Sequence, residues 1–397
     1  MTDVDEAYRQ MMAQAPLMPV EELLLAGAGD HYAAADIRAP HAHPLFDMSA
    51  MDGYAFAFDP AVTGRTVVGS VAAGEVHPRA VAPGECVRIF TGAMMPPGTD
   101  TVVMQERTDR AGGVMRYTDA ALRPGGNVRR RAEQVRRGDV VVTAGTHLGP
   151  AAIGLLATVG AGTVPVYRMP SVGLLLTGGE FVAGDAPEPG RIFNSNGVML
   201  ATALRQEGLR GTEVRAPDEE HALDAALGRL TAAHHVVIST GGASVGDHDL
   251  VHAAVLRAGG TVHFHGVAQK PGKPMLFATV DGRPFIGLPG NPRAVMVLCW
   301  AYVLPFLRRM QGAARPDPER AVRPLEAPVR VKGARAEFRA ARVVDGRVRL
   351  LADEGSHMLR SLADADHIAV LPAHRREWAA GDPVDVWRIP HQRPVAP

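Results

Sequence analysis

Cysteine is almost absent from this chain, and its scarcity excludes two common kinds of protein. Cys86 and Cys299 are the only cysteines among 397 residues. Two distant thiols provide neither a zinc-binding spacing nor a disulfide framework, which is typical of a protein in a reducing cytosol. We therefore interpret both as small core residues and not as nucleophiles.

Long apolar runs are also missing. No stretch of 18 apolar residues occurs, so no transmembrane helix is expected. The N-terminal segment is acidic and amphipathic, without the basic region and the apolar run of a signal peptide. These absences predict a soluble, cytoplasmic protein with no membrane partner.

The chain has no excess of charge of either sign. Its 42 Lys and Arg residues balance its 42 Asp and Glu residues. A protein that binds nucleic acid is expected to carry a basic face, so this balance argues against nucleic acid as a partner. The arginine run at 129–131 is a local exception, and it leaves nucleic-acid binding as a weak alternative.

Glycine and proline, in contrast, are abundant between residues 236 and 292, where they form three loops beside short apolar runs. The segments are VVISTGGASVGDHD (236–249), KPGKP (270–274) and FIGLPGNP (285–292). The β-branched and aromatic runs predict buried parallel strands. Each loop alone could be an ordinary turn, but three in order within one α/β unit predict a ligand site at the carboxyl ends of the strands.

The same loops carry residue types that suit a phosphate-bearing ligand with a divalent metal. Gly241 and Gly290 allow close approach of the backbone and its N–H groups. Lys270 and Lys273 supply positive charge, and Asp249 supplies carboxylate oxygens. We therefore predict an anion-binding active site.

The composition and the pattern of apolar residues change along the chain, which predicts several domains. Its length favours two to four of them. Frequent glycine and proline between short strands at 44–136 predict a small β-domain. From residue 170 onward, strands alternate with helices, which predicts a doubly wound parallel sheet. RPDPER (315–320) is interpreted as a linker to a second small β-domain, and Pro19 is predicted to open a helix through Leu25.

Seven segments carry a family resemblance when they are taken in order. They are MSAMDGYAF (48–56), VRIFTGAMMPPGTDTVVMQE (87–106), TGGEF (177–181), FNSNG (193–197), STGGASVGDHD (239–249), KPGKP (270–274) and GLPGNP (287–292). Together they resemble the molybdopterin molybdenumtransferase family, which is related to the E domain of gephyrin. The resemblance covers nearly the whole chain.

This resemblance implies a reaction and an architecture. The reaction is insertion of molybdate into adenylylated molybdopterin, with magnesium-dependent release of AMP. The fold class is α/β plus β in an elongated, multidomain homodimer, whose cleft lies between the α/β domain of one subunit and parts of the other. Molybdopterin adenylyltransferase and molybdoenzyme-maturation proteins are the further partners that it implies.

Four domains are implied by the same resemblance. Residues 1–44 and 137–168 form a discontinuous α/β linker domain, into which a small β-domain at 45–136 is inserted. Residues 169–313 form the central molybdopterin-binding domain. Residues 314–397 form a C-terminal β-domain that resembles a barrel.

Roles of individual residues also follow from the resemblance. Catalytic roles fall on Asp52, Thr91, Glu180, Asp218 and Asp249. Asp218 and Asp249 are the expected magnesium ligands, since carboxylates from adjacent loops can hold a metal on a phosphate. Lys270, Lys273 and Pro274 match the molybdate loop, with Arg335 and Ser356 as further oxyanion ligands. The other predicted binding residues are Gly241, Gly242, Ser244, Pro289, Asn291 and Pro292.

Four positions depart from the family pattern, namely Gly179, Gln134, Ala294 and Ala340. The first two stand where aspartate is usual, Ala294 where a small hydroxyl residue is usual, and Ala340 where an arginine is frequent. Two functions therefore stay open. One is the enzyme, and the other is a non-catalytic protein or scaffold that binds a pterin or nucleotide in the same cleft.

Overall fold

The computed structural model describes residues 1–182, 184, 186–241, 250–331, 333–352, 355 and 357–390. Four of the predicted site residues, Gly242, Ser244, Asp249 and Ser356, lie outside the described residues. Across the described ranges, no helix combines the length and the apolar character needed to cross a membrane.

Helices flank the central part of the chain and also begin it. They are α1 (Val4–Ala13), α2 (Pro150–Thr158), α3 (Ser195–Gln206), α4 (Glu220–Ala233), α5 (Leu250–Arg257), α6 (Pro292–Leu298), α7 (Leu304–Met310) and α8 (Arg360–Asp364). A π-helical turn, Cys299–Val303, joins α6 to α7, so residues 292–310 form one continuous helix.

Strands occur along the whole chain. The first group is β1 (Val20–Leu24), β2 (Ile37–Arg38), β3 (Met48–Ser49), β4 (Gly53–Phe56), β5 (Gly64–Val71), β6 (Glu85–Ile89), β7 (Thr101–Met104), β8 (Thr108–Ala111), β9 (Val114–Tyr117), β10 (Val128–Arg129), β11 (Val140–Val142) and β12 (Thr163–Tyr167). The central group is β13 (Val172–Thr177), β14 (Gly211–Ala216), β15 (Val236–Thr240), β16 (Thr261–His265), β17 (Gln269–Lys270), β18 (Leu276–Val280) and β19 (Arg283–Leu288). The last group is β20 (Arg320–Pro324), β21 (Val329–Arg330), β22 (Ala336–Val344), β23 (Arg347–Leu350), β24 (His367–Leu371), β25 (Glu377–Trp378) and β26 (Pro383–Arg388).

The helix predicted to start at Pro19 is wrong, because residues 20–24 form strand β1. This strand pairs antiparallel with β12, with Val20 opposite Tyr167 and Leu24 opposite Thr163. Tertiary pairing thus overrides the local helix propensity of the Glu21–Leu25 segment. The N-terminal helix is instead α1, where the Asp3 carboxylate accepts the N–H of Asp5 at 2.9 Å as an N-cap.

Residues 20–38 and 140–167 are joined by their strands. Besides the β1–β12 pair, β2 pairs antiparallel with β11. Helix α2 packs on these strands around a shared apolar cluster, whose buried members are Ala28, Ala33, Ile37, Val142, Leu148, Leu156, Val164 and Val166. Two segments separated by more than a hundred residues therefore share one core.

A separate six-stranded sheet lies between these two segments in the sequence. Its strand order is β7-β4-β6-β5-β9-β8, and all pairs are antiparallel except β5 with β6. Arg65 is buried beneath it, with its guanidinium 3.9 Å from the centroid of the Phe56 ring. The glycine- and proline-rich region predicted as a small β-domain thus contains a β-sheet of six strands.

The central sheet corrects the prediction of a wholly parallel arrangement. Its order is β14-β13-β15-β19-β18-β16, in which the first four strands are parallel and β18 runs antiparallel to both neighbours. The reversal comes from a two-residue hairpin at Asp281 and Gly282, whose φ angles are +49° and +73°. Asp-Gly is a preferred pair for such a turn, so the sequence contained the signal.

Helices cover both faces of this sheet. On one face, α4 and α5 pack buried residues such as Leu223, Leu230 and Val255 against the strands. On the other face, α3, α6 and α7 share a larger core with α1 and with part of the C-terminal sheet. The carboxyl ends of the parallel strands are left free for the glycine loops.

The C-terminal sheet closes into a ring. Its order is β17-β22-β24-β26-β20. Strand β23 pairs with residues 341–344 of β22, on the side opposite β24. A parallel bridge between Leu325 and Val348 links the end of β20 to β23 and completes the ring. Strand β17 belongs to the lysine loop of the central domain, yet it pairs in parallel with β22, Gln269 opposite Ala336 and Lys270 opposite Glu337.

Candidate active site

A cavity of about 390 Å³ lies where the α/β domain meets the C-terminal sheet. Its walls come from loop 270–274, from the loop between β19 and α6, and from residues around β22. Six residues predicted from the sequence line it, namely Lys270, Lys273, Pro274, Pro289, Asn291 and Arg335. The structure therefore brings these six together, while their roles stay a prediction.

Positive charge dominates the cavity wall. Among the described lining residues, one side chain is a carboxylate, Glu337, and five are cationic. The cations are Lys270, Lys273, Arg293, Arg335 and Arg339. Lysine and arginine donate charge-assisted hydrogen bonds to oxyanions, so the cavity suits a small anion.

The loop that carries both lysines is packed closely on helix α6. Gly272 has a φ of +88°, and a Cβ there would lie 2.6 Å from Cδ1 of Leu298. Only glycine fits this position, which lets the loop follow the helix surface. The Nζ atom of Lys270 lies 3.5 Å from Oε1 of Glu337, so the loop also contacts β22.

Strand β22 presents Glu337 and Arg339 to the cavity. Arg339 donates to Oε2 of Glu337 from Nε at 2.8 Å and from Nη2 at 2.7 Å. Ala340, the next residue, is buried in the hydrophobic core. An arginine therefore lines the cavity although position 340 holds alanine, and the sequence analysis missed both Glu337 and Arg339.

Arg293 is another cavity residue that the sequence analysis missed. It belongs to the first turn of α6, and it is 2% exposed. Its Nη1 donates to the Met358 carbonyl at 3.3 Å and to Oγ of Ser361 at 2.6 Å. The side chain thus ties the α/β domain to the segment that leads into α8. An arginine directly after GLPGNP was the available signal.

The glycine loops of neighbouring strands meet at one edge of the sheet. Gly241, after β15, has a φ of +86°, and a Cβ there would lie 2.7 Å from Oγ1 of Thr177. The Cα of Gly241 lies 3.5 Å from the position of a Cβ on Gly290. Nδ2 of Asn196 donates to the Gly290 carbonyl at 2.8 Å and fixes the loop before Pro292. This edge is where a parallel sheet binds its ligands.

Glu180 and Asp218 follow β13 and β14 at the same edge. Burial raises the pKa of Asp218, and the negative charge of Glu180 raises it further. A cation beside Asp218 would stabilise the ionised form of this carboxyl. In the part of the chain that the structure describes, no group of three or more His, Cys, Asp or Glu side chains could hold a metal. The pair would therefore need a further ligand.

Asp52 and Thr91 form a hydrogen-bonded pair on the inserted β-domain. The N–H and the hydroxyl of Thr91 donate to Oδ1 of Asp52 at 2.8 and 2.7 Å. These bonds lower the pKa of the Asp52 carboxyl. Among the described residues that line the cavity at Lys270, none belongs to 45–136. The structure thus places this predicted pair away from that cavity.

The remaining departures from the family pattern have different surroundings. Gly179 is exposed, and no heavy atom lies within 4 Å of a Cβ built on it. Gln134 is exposed next to Glu133, whose Oε2 accepts the N–H of Arg130 at 2.8 Å. Ala294 is 1% exposed and lines the cavity. A larger side chain is therefore accommodated most easily at position 179.

Both cysteines are buried, as the interpretation of core residues requires. Burial raises the pKa of Cys86 to about 11 and that of Cys299 to about 12. A thiol with so high a pKa is protonated at neutral pH, which disfavours a nucleophilic role.

The structure thus combines a mixed central sheet that carries glycine loops with a cationic cavity shared with the C-terminal sheet. Family models match most of the chain: the MoeA N-terminal region (domain I and II) at residues 2–160, the "Probable molybdopterin binding domain" at 173–309 and the MoeA C-terminal region (domain IV) at 323–389.

Curated relatives agree with these matches. A molybdopterin molybdenumtransferase from Nostoc sp. is 35% identical over 87% of this chain and 84% of its own length. One from Haemophilus influenzae is 32% identical over 98% of this chain and 99% of its own. A crystal structure of the molybdopterin biosynthesis moeA protein from Pyrococcus horikoshii OT3 has a TM-score of 0.82 at 25% identity, covering 98% and 100% of the two chains. The chain belongs to the molybdopterin molybdenumtransferase family, and it is an enzyme of molybdenum cofactor biosynthesis.

Proposed function

We propose that this chain inserts molybdate into adenylylated molybdopterin and releases AMP in a magnesium-dependent reaction. The observation that carries the proposal is the cavity between Lys270 and Arg339, with five cations among its described lining residues. Molybdate is a small tetrahedral dianion, and fixed ammonium and guanidinium groups are suited to its oxygens. The names of the curated relatives support the same chemistry.

The two lysines are proposed as direct molybdate ligands. Lys270 and Lys273 flank a loop whose glycine is fixed against Leu298, so both ammonium groups belong to one rigid turn. Arg335 lines the same wall and adds a guanidinium fork. Ser356 is proposed as a further ligand from the resemblance alone.

The pterin nucleotide is proposed to bind along the edge of the central sheet. Gly241 packs against Thr177 and Gly290 against Gly241, so both glycine loops lie close together there, next to Pro289 and Asn291. Their backbone N–H groups are the proposed donors to the phosphate. The side chain of Asn291 makes no capping hydrogen bond to α6, and the residue lines the cavity. Gly242 and Ser244 are proposed to extend this surface.

Magnesium is proposed at the carboxylate side of the same edge. The fit rests on Asp218 and Glu180, because burial and then the charge of Glu180 raise the pKa of Asp218, and a cation would favour its ionised form. Asp218 and Asp249 are the proposed ligands. When bound, the ion would neutralise charge on the phosphoanhydride as it is cleaved. Asp218 and Asp249 would hold it in place.

We also propose a homodimer in which Asp52 and Thr91 of one subunit complete the cleft of the other. The pair lies on the inserted β-domain and is accessible, with Thr91 exposed. A dimer of this kind should bury more than about 1,600 Å² in total. Light scattering at micromolar concentration measures it, and an active monomer would exclude it.

The four-domain division predicted from the sequence is retained as part of this proposal. Pairing of β1 with β12 and of β2 with β11 supports a discontinuous domain built from residues before 45 and after 136. A cytoplasmic location is proposed with it. Delivery of the pterin by molybdopterin adenylyltransferase and transfer to molybdoenzyme-maturation proteins are proposed on the same basis.

One assay tests the function directly. Purified protein is mixed with adenylylated molybdopterin, molybdate and magnesium, and AMP release and molybdenum cofactor formation are both measured. We expect both products, and neither in the absence of magnesium. Binding of the pterin nucleotide without turnover would instead favour the non-catalytic scaffold. The specific observation in favour of that alternative is Gly179, which stands where the family usually has an aspartate.

A further inference from the structure

A buried amide lies directly beneath the lysine loop. Gln269 precedes Lys270 in β17 and is 0% exposed. Its Nε2 donates to the Gly272 carbonyl at 3.1 Å, in the middle of the KPGKP turn. The backbone carbonyl of Gln269 accepts a hydrogen bond from Nη1 of Arg335 at 3.3 Å. One residue that does not line the cavity therefore contacts both the lysine turn and a cavity arginine.

The other end of this amide is held from the long helix. The hydroxyl of Tyr302 donates to Oε1 of Gln269 at 2.6 Å, and Tyr302 is 1% exposed. Tyr302 belongs to the π-helical turn Cys299–Val303, and such turns are frequent at functional sites. Because Oε1 is occupied by Tyr302, the amide orientation that directs Nε2 to Gly272 is fixed.

Burial makes this orientation costly to lose. Without the Tyr302 hydroxyl, Oε1 of Gln269 would be left without its donor in a site that excludes water. The amide would then have to rotate to find another partner, and the bond to Gly272 would be lost with it. Two consecutive hydrogen bonds thus connect Tyr302 in the helix, through the Gln269 amide, to Gly272 in the turn.

We propose that Gln269 and Tyr302 are positioning residues for the oxyanion loop. They hold the Gly272 carbonyl, so that Lys270 and Lys273 stay directed at the anion before it arrives. The inference rests on the proposed function insofar as the anion is molybdate. The positioning itself concerns only the loop and is measurable without any ligand.

The first test removes the tyrosine hydroxyl alone. Tyr302→Phe should weaken molybdate binding about tenfold by calorimetry, the size expected when a buried hydrogen-bond partner is lost. Affinity for the adenylylated pterin should change less than about twofold, because the glycine loops keep their backbone donors. In kinetics the KM for molybdate should rise, while kcat at saturating molybdate is retained.

Hydrogen exchange provides the readout that is independent of ligand. Peptides that cover residues 270–274 should exchange faster in Tyr302→Phe than in the parent chain. Tyr8→Phe is the matched control, because the Tyr8 ring lies 6.1 Å from that of Tyr302 while its hydroxyl donates to Asp317. We expect that variant to change neither loop exchange nor molybdate affinity.

A double-mutant cycle decides whether the two residues act together. Gln269→Met removes both polar ends, so adding Tyr302→Phe to it should cause no further loss of molybdate affinity. Additive losses, or unchanged loop exchange in Tyr302→Phe, would overturn the positioning role. If the parent chain fails to bind molybdate, the proposed function is wrong, and loop exchange still decides the positioning role.

Discussion

The cavity at Lys270 and the Asp52–Thr91 pair differ in how far each is assembled within one chain. The cavity is lined by the α/β part of the chain and by the C-terminal sheet, and its lysine turn accepts a buried hydrogen bond from Gln269. Asp52 is also oriented, by two bonds from Thr91, but the pair is accessible at the surface of the inserted domain.

Under the proposed function, we expect this difference to separate the residues that recognise the anion from those that serve the other steps. A preorganised cationic turn can bind its oxyanion in a single subunit, whereas a surface carboxylate needs another surface to form a cleft. Asp218 is intermediate between these cases, since it is partly buried, and its burial and the nearby charge of Glu180 raise its pKa. Molybdate binding and AMP release should therefore respond to different substitutions.

The largest effect is expected from Asp218→Asn. Magnesium-dependent AMP release should fall at least about 100-fold, because a metal that neutralises developing charge is worth several kcal/mol. Molybdate binding should be unchanged, since Asp218 does not line the cavity at Lys270. Asp224→Asn, on α4 and paired with Arg257, is the control. Full AMP release in Asp218→Asn would remove this carboxylate from the proposed metal site.

Lys273→Gln should give the next largest effect, on the other side of the comparison. Loss of one charge-assisted contact should weaken molybdate binding by about 1.5–3 kcal/mol, or roughly 10- to 150-fold. Calorimetric titration measures it, and pterin affinity should change less. Arg309→Gln removes the same charge from an exposed position of α7 and controls for net charge. Equal losses of molybdate and pterin affinity would show that the loop has another role.

Gly179→Asp should have a smaller effect, and in the opposite direction, because it should increase AMP release. The position is exposed with open space around it, so an aspartate should fit there without strain. Its carboxylate would then join those of Glu180 and Asp218 at the edge of the central sheet. We expect AMP release at limiting magnesium to rise several-fold, since another oxygen ligand favours the ion. Gly179→Asn has the same shape without the charge and should give no gain. A gain with asparagine would point to the loop and not to the metal.

Thr91→Val should have the smallest effect, on the titration of one carboxyl. The pKa of Asp52 is lowered by the Thr91 N–H and hydroxyl, so removing the hydroxyl should raise it partway toward its ordinary value. Because the pKa is lowered in the folded state, this contribution to stability is present above the unfolded pKa and lost as pH falls through the folded pKa. Carboxyl NMR titration measures the shift. Thr99→Val, whose hydroxyl donates to the Pro96 carbonyl, should leave Asp52 unaffected.

The sequence was most informative where a motif keeps its residues on one turn. KPGKP and GLPGNP predicted residues that meet in one cavity, because both motifs adjoin strands and their glycines allow tight turns. The antiparallel part of the central sheet was also readable, from Asp281 and Gly282, but it was missed. The strand at 20–24 was not readable locally, since its partner lies at 163–167.

Residues that act through distant neighbours could not be predicted in this way. Arg293 reads as an ordinary charge in a first helical turn until α8 is placed against it. Arg339 reads as the neighbour of the expected position 340, and only the alternation of β22 directs it to the cavity. Tyr302 reaches Gln269 from 33 residues away, across a π-helical turn that no local pattern announced.

The pairing of β17 with β22 also limits how parts of this protein can be exchanged with those of relatives. A chimaera joined in the 315–320 segment would keep Gln269 and Lys270 from one parent and Ala336 and Glu337 from the other, although these residues are opposite each other in register. These four positions should therefore be exchanged together, although the proposed domain boundary lies between them in the sequence. Grafted C-terminal domains should therefore work best when they are transferred together with the two residues of β17.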